Sequence, residues 1–212
     1  MSLDRPLLTQ GAAALGVPLE AAALEAFETY LALLLRWNAR INLTRIVDPR
    51  EVTVRHFLDC LTVVPRLTGV GSLVDVGSGA GFPGAVIAIV RSDLAIRLVE
   101  PVAKKAAFLE ALKRALGLRV EIEVGRLEAL LDRGARFDAA VSRATFAPGE
   151  WIARGGPLVG PGGLMMAMLG AERPVLVAPP GFGAPEMMDY QLPGTERRAL
   201  VVVRREASAC FT

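Results

Sequence analysis

Three glycines at every second position, Gly77, Gly79 and Gly81, follow directly on an apolar run, Ser72 to Val76. The run reads as a strand buried on both faces. Pro83 then stands where a helix should start, since its fixed φ suits the first turn and its missing N–H is not needed there. Ala85 to Val90 continues as an apolar helix. Glycine is required where a side chain would block a tight turn or keep a ligand from the backbone. The strand, turn and helix together predict a ligand cradle, with free N–H groups of the turn and helix start facing the ligand.

Two cofactor classes use such a cradle. Gly79-Ala-Gly81-Phe-Pro-Gly84 matches the dinucleotide string G-x-G-x-x-G, which is weak evidence alone. Gly77-x-Gly79-x-Gly81 close behind Asp75 is instead the form found in S-adenosylmethionine (SAM) methyltransferases. An acid beside the turn suits a cationic sulfonium and ammonium better than a pyrophosphate. Glu100 ends the next strand at the spacing where an acid meets a ribose hydroxyl in either class.

Other residues carry two readings each. Asp75 either caps the helix or touches the ligand. Arg143, at a strand's carboxyl end where such sheets bind ligands, either contacts the ligand or pairs with a structural carboxylate. His56, the chain's one histidine, is either a core hydrogen-bonding group paired with Asp59 or a substrate contact. Asn42 forms a turn or recognises a base. Trp37 belongs to the core or stacks on a base, and Phe82 packs against the cofactor. No paired carboxylates, Cys-His pair or metal-ligand spacing is present.

The elements that must position these residues follow from periodicity. A short helix at 6–15 and an amphipathic one at 19–40 precede a helix that Asp48-Pro49 caps and starts, running to about Val64 with His56 and Asp59 on adjacent turns. Asn42 and Thr44 are expected to shape the intervening turn. Strands are expected at 72–76, 95–100, 119–124, 137–142, 163–169 and 199–205, with a weaker one at 187–192. Helices are expected at 83–91, 102–116, 126–132 and 147–159. The alternation predicts an α/β fold with a mostly parallel sheet. Pro193-Gly194 predicts a hairpin that places an antiparallel strand at one edge, and the loop 170–186 should be the least structured interior part.

The 212 residues suffice for one domain with an extension, divided here as 1–66 and 67–212. No apolar run is long enough to span a bilayer, and no secretory signal is evident. Cys60 and Cys210 are read as free thiols of a reducing compartment. The net charge of +2 does not by itself imply nucleic acid. The arginines at 36, 40, 45, 50, 55 and 66, with Lys104, Lys105 and Lys113, are candidates for phosphate contact, although arginine richness also follows genome composition.

Trp37-Asn38, Asn42-Leu43-Thr44, His56-x-x-Asp59, the glycine turn with Asp75, Lys104-Lys105-x-x-Phe108-Leu109 and Ser142-Arg143-Ala144 occur in this order. Together they resemble the RsmG or GidB family of bacterial 16S rRNA guanine-N7 methyltransferases, over roughly residues 30–170. The resemblance implies a Rossmann-like class I SAM-dependent methyltransferase fold, a seven-stranded sheet with its last strand antiparallel and an N-terminal helical extension. It implies SAM as cofactor, with contacts from Gly77 and Phe82, from Leu127 and Glu128, from Arg143, and from Glu100 at the family's acidic position. Asp75, Gly79 and Gly81 complete the expected cofactor site. Arg143, His56 and Asn42 are the candidates for positioning substrate. The chain departs from the family pattern at Cys60, Glu100-Pro101 and Leu169, where serine, aspartate-serine and lysine are usual.

The expected partner is 16S rRNA or the small ribosomal subunit in the cytoplasm, with the protein a monomer that uses no DNA, membrane or metal. Three alternatives stay open: a SAM methyltransferase for a small molecule or protein, a nicotinamide oxidoreductase, and a non-catalytic RNA-binding protein.

Overall fold

The computed structural model describes residues 2–207. Cys210 lies outside them. Two helices open the chain, α1 (Arg5–Ala14) and α2 (Ala21–Ile41). The Asp4 carboxylate accepts from the Leu7 N–H to start α1. Asn42, at φ 50°, ends α2 in the left-handed region that asparagine tolerates. Phe27, Tyr30, Leu31 and Leu34 form the buried face of α2.

The expected single helix from Pro49 is broken into pieces. One turn, α3 (Pro49–Val52), capped by Asp48, gives way to a π-helical segment, Thr53–Leu58. A short α4 (Asp59–Leu61) and a 3₁₀ turn (Val64–Leu67) follow. The widened π turn buries both His56 and Asp59. Such bulges insert a residue without breaking the helix and recur at functional sites.

The strands are β1 (Ser72–Val76), β2 (Ala95–Glu100), β3 (Val120–Val124), β4 (Phe137–Arg143), β5 (Val159–Leu169), β6 (Glu186–Gln191) and β7 (Arg197–Arg204). They form one sheet in the order β3-β2-β1-β4-β5-β7-β6. β1 pairs in parallel with β2 and β4, and β7 runs antiparallel to both β5 and β6. The hairpin forms as expected, but its antiparallel strand is second from the edge rather than at it, and β6, running in the direction of β5, takes the edge. β5 begins four residues earlier than periodicity indicates, through Gly160, Pro161 and Gly162. Between the strands run α5 (Gly84–Val90), α6 (Ala103–Leu116), α7 (Leu127–Asp132) and α8 (Pro148–Gly155). The expected helix 147–159 stops at Gly155, and a 3₁₀ turn (Gly156–Leu158) completes it. Residues 170–185 contain neither helix nor strand apart from a bridge at Phe182.

Each sheet face buries its own core. One unites α1, α2 and the π segment with α5 and α6, so the N-terminal helices share a core with the sheet. The other lies beneath α7 and α8, around Trp151. Among the described residues no helix is long and apolar enough to cross a membrane, and no group of three potential metal ligands occurs.

Candidate functional site

The glycine turn lies at the carboxyl end of β1, the sheet edge at which doubly wound α/β folds bind ligands. Gly77, Gly79 and Gly81 all have positive φ. A Cβ on Gly79 would meet nothing nearer than the Gly77 carbonyl at 3.9 Å, so it would project into open space. That space is a cavity of about 480 Å³.

The turn does not offer the donors that its sequence suggests. Gly77 and Ser78 donate to the Val99 carbonyl, and Gly81 and Phe82 to the Ser78 carbonyl. Gly79 donates to Glu100 Oε2 at 2.8 Å and Gly84 to Asp75 Oδ2 at 2.9 Å. From Gly77 to Phe82 every N–H but that of Ala80 has an acceptor within the protein, so the turn supplies room more than free N–H groups. A pyrophosphate needs such donors, so the dinucleotide reading loses its main support.

The two acids separate cleanly. Asp75 is fully buried and does not line the cavity. Oδ2 caps α5 through Gly84, while Oδ1 has no hydrogen-bond partner. Burial pushes its carboxyl up to about 7. The capping reading of Asp75 is the one the geometry gives. Glu100 is the acid that lines the cavity, with its oxygens on the N–H groups of Gly79 and Val102. A carboxylate oxygen has a second lone pair, so Glu100 can still accept from a ligand hydroxyl.

Phe82 lines the cavity and stacks with two rings, Tyr30 at 5.5 Å and His56 at 4.3 Å between centroids. Tyr30, unforeseen from the sequence, also donates its hydroxyl to the Ala80 carbonyl at 2.5 Å. His56 Nε2 lies 2.8 Å from Thr44 Oγ1, and Nδ1 lies 3.1 Å from an Arg143 nitrogen. Nδ1 also lies 3.1 Å from the Arg55 carbonyl, which only accepts, so Nδ1 faces both a donor and an acceptor. Burial, reinforced by the Arg143 charge, lowers His56 to about 3. The ring is neutral.

His56 does not pair with Asp59; both meet Arg143. The guanidinium donates to the Arg55 carbonyl at 2.7 Å and lies 3.3 Å from Asp59 Oδ2 and 3.6 Å from Cys60 Sγ. Asp59, fully buried, also accepts from Tyr190 at 2.7 Å and Arg198 at 2.6 Å. This knot ties the π segment to β4 and to the β6–β7 hairpin. Arg143 pairs with the structural carboxylate Asp59 and also lines the cavity. Burial pushes the Cys60 thiol up to about 12.

Asn42 is exposed and does not line the cavity, whereas its neighbours Leu43 and Thr44 do. The turn is made by Asn38, whose Oδ1 accepts from the Thr44 N–H, and by Thr44, whose Oγ1 accepts from Ile46. Trp37 packs edge-on against Phe108 in the core. Leu127 and Glu128 line a second hollow of about 250 Å³, which shares Gly77, Pro101 and Thr145 with the first. Thr145 stands at this waist, bonded to the Gly77 carbonyl, next to Ala144 at an uncommon φ of 54°. Leu169 is buried in the second core, away from both hollows.

The cradle fits a SAM-type ligand. The space left by Gly79 is open, a carboxylate and an aromatic ring border it, and a second hollow continues past Thr145.

The family model described as rRNA small subunit methyltransferase G (GidB) matches residues 23–174. The chain belongs to this family. It is 43% identical over 167 residues to the ribosomal RNA small subunit methyltransferase G of Anaeromyxobacter dehalogenans strain 2CP-C, covering 78% of each chain. It is 40% identical to the protein of the same name from Xanthomonas euvesicatoria pv. vesicatoria, covering 95% of this chain and 99% of that one. A cofactor-bound structure, Rv0187 from MTB, shares the fold at a TM-score of 0.61 and 17% identity, covering 84% of this chain and 90% of that one. With the seven-stranded sheet and its antiparallel β7, the fold is that of the class I methyltransferases.

Proposed function

We propose that the protein transfers the methyl group of SAM to N7 of a specific guanine in 16S rRNA. One observation carries this reading. A single cavity joins the glycine turn of the sheet to Leu43, Thr44 and His56 of the N-terminal extension, so a cofactor place and a substrate place are continuous. The names of the family's relatives support rRNA of the small subunit as the substrate.

When bound, SAM supplies an electrophilic methyl carbon on a sulfonium. Glu100 would accept from its ribose hydroxyls, the bare backbone at Gly79 would give it room, and Leu127 and Glu128 border the hollow beyond Thr145, while Gly77 and Gly81 are bare to admit Thr145 and Tyr30. Phe82, braced by Tyr30 and His56, forms an apolar wall. Asp75 acts indirectly by holding the turn on α5.

Guanine N7 carries a lone pair and no proton, so attack needs no general base. The chain's own groups agree with that. His56, lowered to about 3, has both nitrogens engaged and is a poor proton acceptor at neutral pH. Its role is to hold Phe82 and Arg143 in place. The protein contributes alignment and exclusion of water, and alignment alone is worth up to roughly 7–11 kcal/mol in well-oriented reactions. The N7 edge is hidden in the deep groove of A-form RNA, so the guanine is presented in a loop or flipped out. The protein acts as a monomer in the cytoplasm.

Incubation with methyl-labelled SAM and either naked 16S rRNA or small subunits tests this reading. Label in the rRNA is expected. Label confined to protein or small molecules of a cell extract would overturn it in favour of another methyl acceptor.

A further inference from the structure

The cations divide into a paired and an unpaired set. Arg66, Lys113, Arg114, Arg119 and Arg126 are also unpaired among the described residues, so position as well as freedom must single out a docking group. Arg50 and Arg55 are held in ion pairs with Asp4 and Glu51. Elsewhere Arg97, Arg133, Arg154 and Arg198 are likewise paired with carboxylates. Arg36, Arg40, Arg45 and Lys104 are exposed, Lys105 is half-buried, and among the described residues these five make no ion pair or side-chain hydrogen bond.

The fold collects these five in one place. A hollow lined by Ala22, Ala23 and Ala26 with Leu116 to Arg119 sets the start of α2 against the end of α6. The Trp37–Phe108 ring contact, 5.8 Å between centroids, sets the end of α2 against the start of α6. The helices are therefore antiparallel. Arg40 lies one turn beyond Trp37 and Lys104 one turn before Phe108, so the two flank the contact, with Arg36 beside them. Arg45 follows Leu43 and Thr44, which line the cavity, and Lys105 lines it directly. α6 carries one carboxylate, Glu110, which is half-buried.

We propose that the seam between the end of α2 and the start of α6 is the docking track for the sugar-phosphate backbone of the substrate RNA, with Arg36, Arg40, Arg45 and Lys104 on phosphates outside and Lys105 at the cavity mouth. This rests on the rRNA reading above and adds where the strand lies. Unpaired cations lose no internal partner when they meet a phosphate, and counterions released from the RNA favour the contact. Arg50 and Arg55 are set apart from the track, because each already has a carboxylate beside it in Asp4 and Glu51.

The test compares Arg36→Gln/Arg40→Gln/Lys104→Gln with a control, Arg133→Gln/Arg197→Gln, that removes exposed paired cations elsewhere. Binding to a 16S rRNA fragment is measured against salt, separately from methyl transfer and from SAM binding. The track predicts at least tenfold weaker RNA binding at low salt and a log–log salt slope shallower by about 2 for the triple variant. SAM affinity should stay at the wild-type value, and the control should bind RNA as the wild type does. Unchanged RNA binding by the triple variant, an equal loss in the control, or no RNA binding by the wild type would overturn the track. Wild type that binds RNA along this seam yet transfers no methyl group would sink the proposed activity and leave the track standing.

Discussion

The Tyr30 hydroxyl donates to the Ala80 carbonyl at 2.5 Å, joining α2 of the N-terminal extension to the middle of the glycine turn. Tyr30 is fully buried, and burial holds its phenol well above the ordinary range, so it stays protonated and donating. The extension thereby braces the glycine turn from behind.

Tyr30→Phe keeps the ring against Phe82 and removes only this bond. Stability should fall by about 1–3 kcal/mol, the cost of a buried carbonyl left without its donor. SAM affinity should fall by about threefold to tenfold as the turn loosens, which is about 0.7–1.4 kcal/mol. Denaturant melts and calorimetry read the two effects. A loss of stability with no change in SAM affinity would reduce Tyr30 to a packing residue.

Gly79→Asp should fold, since its φ of 57° is one that aspartate tolerates and its side chain would enter open space. That space is the cradle, so SAM binding should be lost. Calorimetry that found wild-type affinity would remove the cofactor from this cavity.

Asp59→Ala leaves the Arg143 and Arg198 guanidiniums and the Tyr190 hydroxyl without their shared acceptor. Breaking a buried charge network in this way costs about 3–5 kcal/mol. Denaturant melts should show that loss. A loss under 1 kcal/mol would mean that the knot between the π segment and the hairpin does not hold them together.

Asp75 gives a pH signature. Its folded carboxyl is raised to about 7 from an ordinary 3.8. A raised value means that the folded state binds the extra proton, so the stability is present below 3.8 and is lost as pH climbs through 7. Asp75→Asn has no such titration and can still accept from the Gly84 N–H. Wild type should therefore lose stability relative to the variant between pH 4 and 8, by an amount on the order of a few kcal/mol. Melts that run parallel over that range would contradict a buried, titrating Asp75. SAM binding should survive in the variant, because Asp75 does not line the cavity.

What the sequence made legible was whatever repeats over short range. β1 and β2 match at both ends, and α6 and α7 match to within a residue, because apolar period and turn residues bound them. The start of β5 was hidden by Gly160, Pro161 and Gly162, which read as turn. The π segment was illegible because one inserted residue leaves the helical pattern of Thr53–Leu58 intact to the eye. The closure of the glycine turn on Val99 and Glu100 was missed because strand β2 supplies the acceptors. Asp59 meets Tyr190 and Arg198 across more than half of the chain, and no local pattern announces such a meeting. Cys60 and Arg143 were visible as residues, whereas their contact belongs to the fold.

Delivery of a methyl group from this cavity to guanine N7 is the central proposal. The most direct test is nucleoside analysis of 16S rRNA after incubation with SAM, using small subunits from cells that lack their own family member and comparing wild type with Gly79→Asp. Wild type is expected to give 7-methylguanosine at one position and the variant none. Methylation at another guanine atom or another base, or 7-methylguanosine formed equally by the variant, would contradict it.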